Sequence, residues 1–336
     1  MAKKNPMRKT AGKALNRRQF LGTGVALGSG GLLASLYLSR YVAAQNAPAA
    51  GRPQLPPEPA VSQPPPLTDL KGKVAYITAA SDGIGPLFRP GNAGVLPVKH
   101  DVTDREGWKR VLEQIKKEYG KLHLVVNNAG IKTLRPASKA SYQEWDEAVA
   151  VNVTGIVNSV VVCLPHMLEH GEGGHFVAVS SMGGLLPGLN AGVYTATKIA
   201  AVGVMEALRV ELESTNIGTS VFCPGGVNTD NYFASGQPNP NRSSGPNDFS
   251  AAMMDPLEAG ERVLNGVVHN DLFILSHPEF REGMQERFDA IMASTPPVEE
   301  PIPQARLDYE ARVLRCGIYN REVAHRKVPR KSYRTV

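Results

Sequence analysis

Tyr194 and Lys198 stand four residues apart in the run Val193-Tyr-Thr-Ala-Thr-Lys-Ile-Ala-Ala-Val, and Ser181 precedes the tyrosine by thirteen residues. The run has an apolar helical pattern. Side chains at i and i+4 share one helix face, so the lysine ammonium can lie beside the phenol. A neighbouring cation favours phenolate and is expected to lower a phenol pKa from its reference of about 10. A phenol tuned in this way can exchange a proton with an alcohol or a carbonyl near neutral pH. Ser181 can hydrogen-bond the same substrate oxygen while charge develops on it. The pair alone is ordinary: with ten tyrosines in the chain, chance supplies one such spacing about as often as not. An isolated Tyr/Lys pair is usually a solvated helix face with a snorkelling lysine. The weight must come from the rest of the chain.

The elements that would position these residues are ordered. Lys73-Val-Ala-Tyr-Ile-Thr78 is a short apolar strand, followed by the glycine-bearing turn Ala79-Ala-Ser81-Asp82-Gly83-Ile84-Gly85. Asp101-Val102-Thr-Asp104 ends a second apolar run. Leu122 to Gly130 reads as a strand closing on a tight turn. Asn152 falls in Val-Asn-Val-Thr-Gly within a helical stretch. Gly174 to Ser181 is another strand, and Val221 to Thr229 one more. Strand, turn and helix alternate throughout, which is the pattern of a parallel α/β sheet.

In this order the elements resemble the short-chain dehydrogenase/reductase family over roughly residues 70–275, with extra segments at both ends. The motifs that carry the resemblance are Thr78-x4-Gly83-Ile84-Gly85, Asp101, Asn127-Asn128-Ala129-Gly130, Asn152, Ser181, Tyr194-x3-Lys198 and Pro224-Gly225-x-Val227-x-Thr229. The resemblance implies a Rossmann-like doubly wound α/β sheet, NAD or NADP as cofactor, and hydride transfer between a secondary alcohol and a ketone. It makes Tyr194 the acid/base and Lys198 the group that lowers its pKa and holds the nicotinamide ribose. Ser181 would orient the substrate oxygen, and Asn152 would hold a water of the proton relay. The cofactor would be lined by Thr78, Ser81, Asp82, Gly83, Ile84, Gly85, Asp101, Val102, the backbone of Asn128, Ala129 and Gly130, and Pro224, Gly225, Val227 and Thr229. Thr229 can equally cap a helix.

The chain departs from the family pattern in two places. Ala79 stands where the family has glycine; alanine is tolerable there if φ is negative and costly if it is positive. Between Gly85 and Asp101 the resemblance implies a helix, a second strand, another helix and a third strand. Only Val95-Leu-Pro-Val-Lys-His100 remains, and it resembles the third strand. Pro86 and Pro90 disfavour a helix from Gly85, and the nine residues Pro86 to Gly94 are too few for a crossover between parallel strands. The sheet is therefore expected to lack its second strand, with residues 95–100 either sliding in beside the Lys73–Thr78 strand or staying peripheral. The missing strand would carry the residue that reads the adenosine ribose, so NAD and NADP are not distinguished. Two readings stay open: an exported oxidoreductase carrying its cofactor, and a catalytically impaired relative with weakened cofactor binding.

The formal charge is +6, from 37 basic and 31 acidic residues. Residues 1–44 hold eight of the basic residues and no acid, which leaves 29 against 31 elsewhere. The basicity thus belongs mainly to the leader, and no nucleic-acid partner is expected. Asn16-Arg17-Arg18-Gln-Phe20-Leu21-Gly precedes a mildly apolar stretch, Leu21 to Leu38, containing five glycines; Val42-Ala43-Ala44 offers small residues for cleavage. This resembles a twin-arginine signal, implying the twin-arginine export machinery as partner and a periplasmic location, membrane-anchored if uncleaved. Residues 45–69 read as a Pro/Ala-rich linker, with the folded domain over 70–275 and a C-terminal extension with a basic tail over 276–336. That extension is expected to pack on the substrate side or on a partner subunit of a homo-oligomer. Cys163 and Cys223 lie in apolar runs as buried thiols, and neither the cysteines nor the eight histidines show metal spacing. Asn231 to Asp255 is expected to be the substrate loop, with its aromatic and methionine residues favouring an apolar alcohol or ketone.

Overall fold

Five short segments form a parallel sheet: β1 (Ala75–Ile77), β2 (Leu124–Asn127), β3 (Gly174–Val179), β4 (Ile217–Cys223) and β5 (Phe273–Leu275), hydrogen-bonded in that order. The computed structural model describes residues 63–80, 94–229, 253–296, 302–310 and 317–327, all within the compact unit Pro59–Val336. Helices α1 (Arg105–Tyr119), α2 (Tyr142–Val149), α3 (Gly155–His170), α4 (Gly192–Leu212) and α5 (Pro256–Val268) join the strands. Helices α6 (Arg281–Ala293), α7 (Gln304–Tyr309) and α8 (Ile318–Arg326) follow the last one.

Every residue of β2 and β4 is buried, as expected of a parallel sheet covered on both faces. Alternation along the strands divides their side chains. Val125, Phe176, Ala178, Val221 and Cys223 enter one core with α1, α3 and α4. Leu124, Val126, Val177 and Phe222 enter the other with α5. Helices thus lie on both faces, as in a Rossmann-like doubly wound sheet. Local signals set the helix starts. Ser141 and Glu144 form a reciprocal capping box at α2. At α5, Asp255 accepts from the Leu257 amide at 2.7 Å and Pro256 occupies the first turn. Helix α2 runs into α3 through a π-helical turn, Ala150–Thr154.

Three expectations are corrected or resolved here. Among the described residues β1 pairs with β2 alone and is a sheet edge, and residues 94–104 contribute no strand. The segment 95–100 does not slide in beside β1; Pro97 has no amide to give to a ladder, and the segment is held by its last side chain instead. His100 Nδ1 meets the Tyr76 hydroxyl at 2.8 Å, and its ring packs edge-on against the buried Trp108 at 4.8 Å. Second, the folded part starts upstream of Leu70. Leu67 is buried in the second core, and Gln63 Nε2 donates to the Leu212, Thr215 and Ile217 carbonyls. Within the expected linker, Gln63 and Leu67 therefore pack into the folded unit. Third, β4 starts at Ile217 rather than Val221, because Gly218, Thr219 and Ser220 are polar or small yet fully enclosed.

Candidate active site

The carboxyl ends of β2 and β3 bring the catalytic candidates together. Leaving β3, Ser181 adopts an extended backbone and caps a short 3-10 turn, Met182–Gly184, accepting from the Gly183 amide at 3.1 Å. Gly183 allows close approach: a Cβ there would lie 3.3 Å from Tyr194 Cε1. Tyr194, in the first turn of α4, lies beside this serine loop, near enough for the Ser181 hydroxyl to influence its phenol. One helical turn on, Lys198 is buried, with Nζ 5.6 Å from the Tyr194 ring centroid and donating to the Val179 carbonyl at 2.8 Å.

The electrostatics correct one expectation. The Tyr194 pKa is raised, not lowered: burial pushes it up, and the neighbouring Ser181 hydroxyl pulls it down less strongly. Burial also pulls the Lys198 ammonium down, to about 8. The i,i+4 spacing does place cation and phenol together, but both are desolvated, and desolvation disfavours the charged form of each.

Asn152 sits in the π-helical turn, a conformation that recurs at functional sites, and is buried. Its Oδ1 accepts from the Ile131 amide at 2.8 Å. Its Nδ2 donates to the Ile131 carbonyl and to Thr197 Oγ1, each at 3.0 Å. Both amide hydrogens are thereby used, so the side chain pins the Gly130–Ile131 turn rather than offering a donor to a relay water. A Cβ on Gly130 would lie 3.3 Å from both Asn152 Oδ1 and Lys198 Nζ; the bare backbone of this turn faces the lysine.

The remaining candidates fall into four groups. Thr78 works between strands: its Oγ1 accepts from the Asn128 and Ala129 amides at 3.0 and 2.8 Å, tying the end of β1 to the 127–130 turn. Ala79 has φ 51, the left-handed and costly case; its carbonyl is held by Asn128 Nδ2 at 3.2 Å. Ser81, Asp82, Gly83, Ile84 and Gly85 lie outside the described residues, as do Arg17, Arg18 and most of the expected substrate loop. Asp101 is exposed and turned onto Thr103, and Val102 is packed against α3 with its carbonyl accepting from Trp108 and Asn158; neither is brought to the catalytic group by these contacts. Pro224 is brought there: its carbonyl accepts from the Met182 amide at 2.7 Å. Val227 bridges Met254, and Thr229 is buried with its amide on the Val227 carbonyl; the next described helix, α5, is capped by Asp255 instead.

The C-terminal extension approaches this same end. Phe280 and Met284 join the core beside Leu185 and Leu186, and Gly283 comes within side-chain contact of Leu186. Sequence reasoning did not single out His277, which is buried with Nδ1 3.0 Å from the Gly225 amide. Its signal was present as a histidine directly between the strand Phe-Ile-Leu-Ser and Pro278. Three other histidines gather near the opposite end of β2. His123, His166 and His170 each accept a backbone amide, from Val74, Leu122 and Glu172 respectively. Among the described residues no histidine, cysteine or acid cluster suits a metal ion.

A family model described as short chain dehydrogenase matches residues 89–238. The chain is 34% identical over 223 residues to a C alpha-dehydrogenase of Sphingobium sp. (strain NBRC 103272 / SYK-6), covering 63% of this chain and 73% of that protein. Its fold matches a protein from Novosphingobium aromaticivorans assigned to the short-chain dehydrogenases, with a TM-score of 0.63 and 28% identity, over 78% of this chain and 99% of that one. It also matches a short chain dehydrogenase/reductase from Burkholderia phymatum, solved in complex with NAD, with a TM-score of 0.59 and 24% identity, over 69% and 98% of the two chains. That last likeness concerns the fold.

Proposed function

The chain belongs to the short-chain dehydrogenase family, and on that premise we propose that it interconverts a secondary alcohol and a ketone with NAD or NADP, using Tyr194 as the proton-transferring group. The observation that carries this reading is the convergence of Ser181, Tyr194, Lys198 and the Asn152-pinned turn at the carboxyl ends of β2 and β3. Open parallel sheets bind ligands outside those ends. The residues present fit a nicotinamide there. Gly130 keeps bare backbone beside Lys198, and Pro224 is tied to the residue after Ser181. Asn128, Ala129, Gly130, Lys198 and the segment from Pro224 to Thr229 would hold the dinucleotide, which would supply or accept the hydride.

The chain's own residues handle the proton. With its pKa raised by burial, Tyr194 keeps its proton at neutral pH and is poised as an acid toward a developing alkoxide. Ser181, beside the phenol, orients the substrate oxygen between the two hydroxyls. Lys198, with a pKa of about 8, remains mainly charged at pH 7 and stabilises the phenolate left behind. Asn152 keeps the Gly130–Ile131 backbone in place beside the lysine.

A weakened nucleotide site is favoured by one observation: β1 is an edge among the described residues, next to Ala79 in the left-handed region. Calorimetry with NAD and with NADP tests both readings. Tyr194→Phe should bind the nucleotide as the parent does and lose activity by roughly 10²–10⁴-fold. Retained activity in that variant would sink the mechanism, and a parent chain that binds neither nucleotide would make the protein an impaired relative. We also propose periplasmic delivery by the twin-arginine route, supported by Arg17-Arg18 and the glycine-diluted apolar stretch after them. Self-association is supported by Val157, Val161 and Leu168 on α3 and Ile199 and Val210 on α4, apolar side chains left exposed.

A further inference from the structure

We propose that His277 is a positioning residue that sets the Pro224–Gly226 turn against the catalytic serine and so controls nicotinamide-nucleotide affinity. The inference rests on the cofactor reading above.

His277 follows β5 and is buried with both ring nitrogens engaged. Nδ1 accepts from the Gly225 amide at 3.0 Å and also meets the Ser276 hydroxyl at 2.7 Å. Nε2 meets the Gly226 carbonyl at 3.1 Å. Accepting an amide hydrogen at Nδ1 requires a lone pair there, and meeting a carbonyl at Nε2 requires a hydrogen, so the two bonds together fix one neutral tautomer. The amide of one glycine and the carbonyl of the next are thus read by one ring. The turn cannot be approached this closely by a side chain of its own, because a Cβ on Gly225 would lie 2.7 Å from the His277 ring and 2.8 Å from Phe280. From Gly226 the turn is paired to Met254, whose amide donates to the same Gly226 carbonyl at 3.0 Å. From Pro224 it is paired to Met182, the residue after Ser181, at 2.7 Å. Among the described residues His277 is therefore the side-chain clamp on a turn whose other fastenings are backbone. It links the first residues of the C-terminal extension to the loop carrying the catalytic serine.

A ring that only fills space and one that aims the turn differ in what their loss changes. Loss of packing lowers the melting temperature and the active fraction, but leaves nucleotide Kd and KM in the folded fraction alone. Loss of aim raises both. His277→Phe keeps a planar ring and removes both hydrogen bonds; its Kd for the preferred nucleotide, by calorimetry, should rise about tenfold, with cofactor KM following and kcat changing less. His277→Asn restores an acceptor near the Nδ1 position and should recover Kd to within about threefold of the parent. His277→Gln reaches only toward the Nε2 side and should recover less. If the phenylalanine variant does not fold, the asparagine–glutamine comparison decides, and equal affinities for the two would overturn the proposal. So would an unchanged Kd in a folded His277→Phe whose only change is a lower melting temperature. A parent chain that binds neither NAD nor NADP would remove the cofactor reading itself and this role with it. That result is distinct from a parent that binds and a variant that binds equally well.

Discussion

Replacing Lys198 by methionine should make the protein more stable while abolishing its proposed activity. The lysine is buried, and its ammonium is held at about 8 against an ordinary value of 10.5. At about 1.36 kcal/mol per pKa unit, keeping the folded side chain charged at pH 7 costs about 3 kcal/mol. Methionine has a similar unbranched reach and no charge to desolvate. What it forfeits is the 2.8 Å bond to the Val179 carbonyl, and a buried carbonyl left bare costs about 1–2 kcal/mol. The balance favours Lys198→Met by about 1–2 kcal/mol, or a melting temperature higher by roughly 2–8 °C. The sign with pH is specific. Because the folded pKa is depressed, the wild-type penalty is complete below pH 8, shrinks as pH rises from 8 towards 10.5, and vanishes above it, where folded and unfolded amines are both neutral. Urea unfolding of both proteins at pH 7 and again near pH 10 reads this directly: the advantage should be clear at the lower pH and mostly gone at the higher. A variant less stable at pH 7, or an advantage that does not change with pH, would refute the desolvation argument. A gain in stability with loss of turnover is what a strained site yields when relieved.

Ala79→Gly relieves a left-handed alanine, worth about 1–2 kcal/mol, against about 0.5–1 kcal/mol of added backbone entropy. The melting temperature should rise by roughly 1–4 °C, and a fall on calorimetric scanning would mean the turn does not hold φ 51 in solution. Changing Arg17 and Arg18 together to lysine should leave the protein on the cytoplasmic side in a fractionation assay; undiminished delivery would remove the twin-arginine reading.

Much of the fold was legible because its strands are apolar runs with turn residues at their carboxyl ends, and Ser181, Tyr194 and Lys198 do converge as their spacing suggests. What stayed hidden was physics that spacing does not encode. The pair Tyr194 and Lys198 implied a lowered phenol pKa, since sequence shows the cation but not the loss of water around both groups. Ala79 implied a conditional, and only the backbone revealed a positive φ. Asn152 was read as a relay partner; its two amide hydrogens turn out to be committed to Ile131 and Thr197. The start of β4 was missed because Thr219 and Ser220 look like turn residues until β3 and the Asp271 carbonyl enclose them. Gln63 was assigned to a linker on the composition of its neighbours, although one side chain with three carbonyl acceptors is enough to fasten that end.

The widened turn Ala150–Thr154 has a consequence for how the long helical stretch is phased. A regular helix advances about 100° per residue, and a π turn absorbs one additional residue. The α2 half and the α3 half are therefore out of phase by about one residue's rotation. Asn152 can point at Ile131 and Thr197 while Ile156, Cys163 and Met167 point at the sheet. In a continuous α-helix those demands would compete for a single orientation. With the turn in place, the apolar stripe on α3 keeps the phase that packs on the sheet and α1, while the α2 half, capped at Ser141 and joined to Arg135 through Glu144, keeps its own.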